Sequence, residues 1–326
     1  MRREILCEAP EILKKFLFYL QTVKGKSPKT VEEYYIDLRT FFRYLKVHLG
    51  VVKPDVPFEE IRIDDVDIDM LRQVDLTDVF EYMNYLVSER ENHEAARARK
   101  ASSLRHFFKY LTNKLGELET NNIQELETPK LAKRLPKFLD LEQSKRLLET
   151  VKKHGGKFED RDYCIVTLFL NCGLRLSELV GININDFSEE GTLRVIGKGN
   201  KERIVYLNDA CQNSVKNYKK TRPNDGLKDK RAFFISRQNN RISVKTVQYL
   251  VKKYLELSGF GGMGYSTHKL RHTAATLMYQ HGGVDIRILK EILGHENLGT
   301  TEIYTHISNS QVKDAINSNP LSEMDT

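Results

Sequence analysis

Residues 267–276 read THKLRHTAAT, and together with residues 171–179, NCGLRLSEL, they decide which fold this chain adopts. The first stretch places His268 three residues before Arg271, directly after a serine and a threonine that are suited to begin a helix. Three-residue spacing on a helix brings both side chains to one face, where two donors converge on one anion. An isolated pattern of this kind is common on surface helices, so its meaning depends on the rest of the chain.

Further residues with the side chains for phosphodiester chemistry flank this stretch. Tyr304 lies nine residues after His295, Lys198 stands between two glycines, and Arg175 precedes Glu178 by three positions. A tyrosine oxygen attacks phosphorus while cations balance the charge that grows on the phosphate. A metal-dependent nuclease would need carboxylates to hold Mg²⁺, and the sequence places no matching cluster beside these residues. The set therefore predicts metal-free attack on a phosphodiester, without a cofactor.

Each of these residues also has an ordinary structural interpretation. His295 follows Leu293 and Gly294 as a residue at a helix end would, and Lys198 fits an exposed hairpin tip. Tyr304 is one of 15 tyrosines. The glycines around Lys198 do not form a phosphate-binding loop, because no G-x-x-x-x-G-K-[ST] pattern is present and a strand follows. The order and combination of the residues favour the catalytic interpretation.

The segments that carry these residues resemble the tyrosine recombinases, and most closely their Xer-type branch. They are residues 171–179, 195–203 (VIGKGNKER), 267–276 and 293–306 (LGHENLGTTEIYTH). Residues 27–34, SPKTVEEY, resemble the helical core-binding domain of the same family, so the resemblance covers nearly the whole chain.

The resemblance implies a catalytic set and one supporting residue: Arg175, Lys198, His268, Arg271, His295 and Tyr304, with Glu178 in support. Tyr304 is expected to form a 3′-phosphotyrosyl link and release a 5′-hydroxyl. Arg175 and Arg271 are expected to bind the non-bridging oxygens, and Lys198 to protonate the departing oxygen. Both histidines are expected to bind the phosphate, and His268 also to assist proton transfer from the tyrosine. Glu178 is expected to orient the cations, although a plain helix N-terminal carboxylate is the simpler interpretation.

The fold implied is mainly α, in two domains that clamp a DNA duplex. A four-helix, SAM-like core-binding domain is expected over residues 1–116, a linker over 117–137, and a mixed but mostly helical catalytic domain over 138–326. Apolar spacing predicts helices near 12–20, 28–45, 76–90 and 95–115, and a small antiparallel hairpin over 192–207. Residues 310–319 resemble the tail that docks into a neighbouring subunit, or else pack on their own domain. The acidic stretch 46–73 is interpreted as a loop insertion that faces away from DNA.

Charge points to an anionic partner. The net charge is +7, and residues 95–116 carry six basic side chains without an acidic one. A solvated helix face is the more common origin of such a run, but the absence of acids favours DNA contact. The expected DNA-binding residues are Ser27, Lys29, Thr30, Arg97, Arg99, Lys100, Arg105, Lys133 and Arg134.

The remaining composition bounds the class of protein. Four cysteines without regular spacing, no secretory leader and no long apolar run predict a reduced, cytoplasmic chain without a zinc or membrane site. The expected partners are double-stranded DNA with a specific recombination site, three further copies in a tetramer on two sites, and a second recombinase or accessory protein. A type IB topoisomerase and a catalytically inactive architectural DNA-binding protein are the alternatives. The residues do not separate chromosome-dimer resolution from mobile-element integration.

Overall fold

The computed structural model describes residues 3–53, 55–128, 137–197 and 201–294. The chain divides into two compact units, Met1–Lys133 and Arg134–Thr326. The described residues are mostly helical, and two short strands pair in one antiparallel sheet. The predicted fold class, a mainly helical chain with a small sheet in its second half, is thereby confirmed. Among these residues no helix has the length and apolar character that crossing a membrane requires.

The described part of the first unit contains six α-helices. They are α1 (Arg3–Glu8), α2 (Glu11–Phe18), α3 (Pro28–His48), α4 (Ile68–Arg72), α5 (Leu76–Ser88) and α6 (Glu94–Tyr110), with π-helical turns at Tyr19–Val23 and Leu111–Leu115 and a 3₁₀ turn at Phe58–Glu60. Four of the six, α2, α3, α5 and α6, are the helices that the apolar spacing predicts.

The start of α3 shows why the sequence predicts it. The Ser27 hydroxyl accepts a hydrogen bond from the Thr30 backbone N–H at 3.2 Å, and Pro28 occupies the first helical position, where its missing N–H costs nothing. The predicted inward face of α6 is also confirmed, since Leu104, Phe107 and their neighbours along that face are buried. Both helices contribute this apolar face to the core of the first unit.

The prediction of a loop over residues 46–73 is wrong in part. α3 continues to His48, a 3₁₀ turn and α4 follow, and apolar side chains between the acids enter the core, among them Ile63, Val66 and Leu71. The acids bind cations at the edge of that core: Lys46 Nζ lies 2.7 Å from Asp65, for example. The sequence prediction missed the isoleucines that lie between these acidic residues, because they are too few to show a helical period.

Part of the expected linker also packs on the first unit. Leu118, Ile123 and Leu126 are buried within its core. Residues 129–136 lie outside the described residues. The domain boundaries therefore stay a prediction, with the first core extending to residue 126.

Seven α-helices and the hairpin build the described part of the second unit. They are α7 (Leu141–His154), α8 (Glu159–Cys172), α9 (Leu176–Gly181), β1 (Thr192–Ile196), β2 (Glu202–Tyr206), α10 (Asp209–Thr221), α11 (Val244–Leu257), α12 (Thr267–Gln280) and α13 (Ile286–Leu293), with 3₁₀ turns at Gly156–Phe158 and Ile184–Asp186. α8 is buried along most of its length among α7, α10 and α12. Since the ends of α8, α12 and α13 meet, this unit positions the candidate site.

Candidate active site

Arg175 lies between two helix ends. α8 stops at Gly173, whose φ of +57° is left-handed, and α9 begins at Leu176. The Arg175 backbone N–H donates to Glu178 Oε2 at 2.8 Å, and its Nη1 donates to Oε1 of the same carboxylate at 2.7 Å. A glutamate in the first turn of a helix commonly accepts such a backbone bond. Here the carboxylate fixes both the main chain and the side chain of Arg175.

Glu178 is fully buried and binds a second guanidinium. Arg203 on β2 donates from Nη2 to Glu178 Oε2 at 2.9 Å. Burial by itself raises the pKa of the Glu178 carboxyl, but the charge of Arg203 and the hydrogen bonds from Arg175 and Arg203 outweigh it. The pKa therefore lies below the ordinary value of a glutamate, and the group is a carboxylate at neutral pH. This geometry favours the expected orienting role of Glu178.

Arg271 on α12 is buried between the ends of two helices. Its Nη1 donates to the Gly173 carbonyl oxygen at 2.6 Å, and its Nη2 donates to the Leu293 carbonyl oxygen at 2.6 Å. A guanidinium can bind two acceptors at once because its donors form a rigid planar fork. The end of α8 and the end of α13 are thus both tied to Arg271.

His268 begins the same helix and differs from Arg271 in exposure. It keeps access to solvent, and its ring stands at 75° to that of His272 with centroids 4.5 Å apart. The pKa of His268 is lowered, first because the ring is partly buried and loses some of its hydration, and then because Arg271, Lys269 and Arg175 repel a positive charge. The neutral imidazole is therefore the favoured form at neutral pH.

Three arginines bind three consecutive carbonyl oxygens at the end of α13. Arg203 Nη1 donates to Ile292 at 2.6 Å and Arg271 Nη2 to Leu293. Arg175 Nη2 donates to the Gly294 carbonyl oxygen at 2.7 Å. A helix C-terminus leaves such carbonyls without helical partners and carries partial negative charge, so cations suit it. In the sequence, His295 is the residue that follows Gly294.

The base of the hairpin reaches the same place. A Cβ built on Gly197 would lie 3.5 Å from Glu178 Oε1 and 3.8 Å from Arg175 Nη1. The Gly197 N–H donates to the Lys201 carbonyl oxygen at 2.8 Å, which closes the hairpin beneath its tip. Lys198, His295 and Tyr304 lie outside the described residues. The structure thus brings together four of the seven predicted site residues: Arg175, Glu178, His268 and Arg271.

The chemistry of the described cluster is cationic. Glu178 is held by two arginines, and within the described ranges no group of three or more His, Cys, Asp or Glu side chains is arranged to hold a metal ion. Guanidinium groups stay protonated at any working pH and bind phosphate oxygens through paired donors. Such a cluster can stabilise negative charge on a phosphate.

The predicted DNA-binding residues differ in exposure and in their contacts. Lys29 and Arg105 are exposed, the Ser27 hydroxyl caps α3, and the Thr30 hydroxyl forms a hydrogen bond with that of Ser27. Arg97 is partly buried, and Lys133 and Arg134 lie outside the described residues. Arg99 and Lys100 both bind the buried carboxylate of Asp37, and Lys100 is itself buried, so DNA contact by these two residues stays a prediction. These two tie α6 to α3.

A basic groove lies on the first unit and an apolar groove on the second. The basic groove consists of two adjoining pockets that share His106 and Lys109; its lining includes Lys24, Lys26, Arg105 and Lys114, together with aromatic side chains such as Tyr19. The apolar groove of the second unit is lined by side chains that include Cys172, Ile204, Tyr206, Met278, Ile288 and Ile292. Tyr206 is 82% exposed there, and Ile204 and Ile288 are more than half exposed.

Arg203 is the site residue that the sequence did not single out. It stands in the VIGKGNKER segment, where attention falls on Lys198 at the tip. The signal was its place in β2: Arg203 and Val205 share the more buried face of an alternating strand, so a charge is directed inward there. A charge on a buried strand face needs a partner, and Glu178 is that partner.

Known proteins share the sequence of this chain. The sequence signature of the Phage integrase family matches residues 137–311. A tyrosine recombinase XerC from Caldanaerobacter subterraneus subsp. tengcongensis is 54% identical over 314 residues, which cover 96% of this chain and 88% of that protein. A tyrosine recombinase XerC from Thermodesulfovibrio yellowstonii is 34% identical over 318 residues, 95% of this chain and 96% of that protein.

Solved structures share the fold at lower identity. The XerH site-specific recombinase bound to a palindromic difH substrate in a post-cleavage complex aligns with a TM-score of 0.68 and 21% identity, over 94% of this chain and 83% of that one. A lambda integrase dimer bound to a COC′ core site aligns with a TM-score of 0.63 and 16% identity, over 89% and 95%. At these identities the structural likeness concerns the fold.

Proposed function

The chain belongs to the phage integrase family and is a tyrosine recombinase of the Xer type, and from this we propose that it exchanges strands between two DNA sites through a 3′-phosphotyrosyl intermediate. The observation that carries the proposal is the convergence of Arg175 and Arg271 on the end of α13. The chain runs from that end to His295 and Tyr304, the proposed phosphate ligand and nucleophile.

The proposed cleavage step conserves bond energy. The Tyr304 oxygen attacks phosphorus, the bond from phosphorus to the 5′-oxygen breaks, and Lys198 gives that oxygen a proton. Arg175 and Arg271 stabilise the non-bridging oxygens while charge builds on them. A 5′-hydroxyl of the partner duplex then attacks the phosphotyrosine and restores a phosphodiester. One phosphodiester is regained for each one cut, so the exchange consumes no ATP.

His268 is proposed to accept the proton of the tyrosine. Its lowered pKa keeps the imidazole neutral, which is the form that accepts a proton. Its place on the first turn of α12, three residues before Arg271, brings it beside the phosphate that Arg271 binds. His295 follows Gly294, whose carbonyl oxygen Arg175 holds at 2.7 Å, and is proposed as the second histidine on the phosphate.

DNA binding by the first unit is proposed to use the basic groove. Lys24 and Lys26 lie just before α3, while Arg105 and Lys109 extend from the exposed side of α6. Polar partners in such grooves supply phosphate contacts that position the protein on a duplex. Arg105 replaces Lys100 as the better supported contact, because Lys100 is buried against Asp37.

Assembly into a tetramer on two sites is proposed to use the apolar groove. The sequence of residues 310–319 places Val312, Ala315 and Ile316 at helical spacing, which gives a short apolar face. The exposed Ile204, Tyr206 and Ile288 offer a surface that such a face would cover. We propose that this tail of one subunit occupies the groove of its neighbour. Chromosome-dimer resolution is the proposed biological role, by analogy with the Xer branch.

The chemistry is tested by covalent capture. Duplexes are first selected from random DNA by binding to the Tyr304→Phe protein, and a nick is then placed beside the cleaved position so that religation fails. In EDTA the unchanged chain should form a protein–DNA adduct on a denaturing gel, and Tyr304→Phe should bind without forming one. Tyr249→Phe is the matched control, since Tyr249 is 71% exposed on α11, and it should react normally.

Other outcomes of this experiment separate the alternatives. An adduct that relaxes supercoils but joins no two sites would indicate a topoisomerase. Binding without any adduct would indicate an architectural protein. An adduct in Tyr304→Phe would mean that another tyrosine is the nucleophile.

A further inference from the structure

Arg203 joins three elements of the second unit. Its side chain is 16% exposed; Nη2 binds Glu178 of α9, and Nη1 binds the Ile292 carbonyl oxygen of α13 at 2.6 Å. The residue itself belongs to β2, opposite Val195 of β1. A single guanidinium therefore sets the distance between the hairpin, the helix after Arg175 and the helix before His295.

The end of α13 packs directly on the Arg203 side chain. A Cβ on Gly294 would lie 2.9 Å from Arg203 Cδ, closer than such atoms approach, and 3.1 Å from Nε. Gly294 also has a φ of +62°, in the left-handed region that favours glycine. The turn that leads to His295 is therefore shaped around Arg203.

We propose that Arg203 is a positioning residue that aims the guanidinium of Arg175 at the scissile phosphate. Arg203 donates to Oε2 of Glu178, so that Oε1 accepts from Arg175 Nη1. It also holds the end of α13, where the Gly294 carbonyl oxygen receives Arg175 Nη2. Both contacts that fix the Arg175 guanidinium thus depend on Arg203. The inference rests on the proposed function, in which Arg175 binds the phosphate.

Removal of Arg203 changes both contacts together. Of the two arginines, only Arg175 is then left to balance the charge of the buried Glu178 carboxylate. The Arg175 guanidinium is therefore drawn closer to Glu178. The end of α13 loses the bond to Ile292. Lysine at this position would restore the charge but not the fork, because one ammonium cannot span Glu178 and Ile292 as two guanidinium nitrogens do.

The test compares Arg203→Met, Arg203→Lys and a control, Arg194→Met, in the full chain. Arg194 lies on the same hairpin, and its ion-pair partners, the largely buried Asp186 at 2.8 Å and Glu202 at 3.5 Å, belong to neither α9 nor α13. Single-turnover adduct formation is measured on the nicked duplex. We expect Arg203→Met to bind DNA within about twofold of the unchanged chain and to cleave roughly 10²-fold more slowly, which is the scale for losing one oxyanion donor. Arg203→Lys should fall between the two, and Arg194→Met should match the unchanged chain.

A methylphosphonate at the scissile position separates positioning from folding. This group lacks one anionic oxygen, so its transition state needs less cationic stabilisation. The defect of Arg203→Met should shrink to less than about tenfold on it, because what the variant has lost is a correctly aimed cation. An equal loss on both substrates, a loss of DNA binding, or an unchanged rate would each overturn the inference.

These variants distinguish a failure of this inference from a failure of the proposed function. If the unchanged chain and Arg194→Met form no adduct, the recombinase chemistry itself has failed. If Arg203→Met does not fold, as judged by far-ultraviolet circular dichroism, Arg203→Lys decides, since it keeps the positive charge beside Glu178. A lysine variant that cleaves both substrates at the unchanged rate would show that the fork has no positioning role.

Discussion

Glu178 shows how one buried carboxylate organises a cationic site. It binds Arg175 and Arg203 at 2.7 and 2.9 Å, so this group of three side chains retains one positive charge. A buried carboxylate without cations would be costly, and two arginines without a carboxylate would repel each other. The arrangement therefore keeps a net cation beside the place that an anionic phosphate is proposed to occupy.

The pH dependence of cleavage should report His268. Because its pKa is lowered from 6.5, the neutral ring is the majority form at pH 6.5 and predominates further as the pH rises. A proton acceptor works in its neutral form, so the adduct-forming rate should fall as the solution is acidified, with a midpoint below pH 6.5. Single-turnover rates on both sides of this pH, with His268→Gln as the comparison, check the assignment. A fall centred above pH 6.5 that His268→Gln abolishes would contradict it.

Lys198 should behave as a general acid. Lys198→Ala is expected to slow cleavage of an ordinary phosphodiester by ~10² to 10⁴-fold, the usual worth of such catalysis. A substrate with sulfur as the bridging 5′-atom has a leaving group that needs little protonation, so the variant should cleave it at nearly the unchanged rate. Lys201→Ala is the matched control on the same hairpin, since it keeps the backbone carbonyl that Gly197 binds. Equal impairment on both substrates would assign Lys198 to binding instead.

At the scale of elements, α3 and α6 are joined by a buried ionic cluster. The Asp37 carboxylate is 1% exposed and accepts bonds from Arg99, Lys100 and Ser103. Burial lowers the pKa of Lys100, while Asp37 acts in the opposite direction. A charge run on one helix thus serves partly to fix the neighbouring helix.

Asp37→Asn should loosen this pair of helices. The substitution leaves the buried Lys100 ammonium without its counter-ion, and breaking a buried pair in this way costs about 3–5 kcal/mol. Native-state hydrogen exchange on the full chain should show faster exchange in α3 and α6, with α7 to α13 unchanged. Glu142→Gln, at the exposed pair with Lys145, should alter stability by less than ~0.5 kcal/mol. Unchanged protection in α3 and α6 would mean that the cluster contributes no net stability.

What the sequence predicts well are the parts governed by local periodicity and capping. Ser27 and Pro28 fix the start of α3, and the left-handed Gly173 ends α8, because these effects act within a few residues. The partnership of Lys100 with Asp37 and of Arg203 with Glu178 depends on side chains distant in sequence, which neither period nor motif reveals. The resemblance to a known family predicts Arg175 and Arg271 as members of one site. Their hydrogen bonds to the carbonyl oxygens at the end of α13 are visible only in the structure.

At the scale of the whole molecule, the basic groove lies on the first unit and the apolar groove on the second. The basic groove suits a polyanion, and the apolar groove suits an apolar helix face. A protein that binds DNA through charge and its own copies through apolar contact responds differently to salt in the two steps, because only the first releases many counter-ions. Assembly and DNA binding are thereby separable by experiment.

The tail and the apolar groove should act as one device. Deletion of residues 310–326 and the substitution Ile288→Asp should each leave single-site binding intact and abolish cooperative binding on a two-site duplex. Both changes together should be no worse than either alone, since they remove the same contact. Tyr249→Ser, another exposed apolar position, is the control. Gel-shift titration gives the measurement, and full cooperativity in the truncated protein would place the tail on its own domain or make it dispensable.

The close approach of α8 and α13 has a consequence for heredity. A Cβ at position 173 would lie 2.8 Å from Leu293 Cδ2, and the left-handed backbone there adds roughly 1–2 kcal/mol for any other residue. An allele that turns Gly173 into alanine therefore creates a specific demand elsewhere in the gene. Its second-site suppressors should collect at codon 293, as changes to a shorter side chain, and rescue should be partial because the backbone cost remains. Selection would then act jointly on codons 173 and 293, although they lie far apart in the gene.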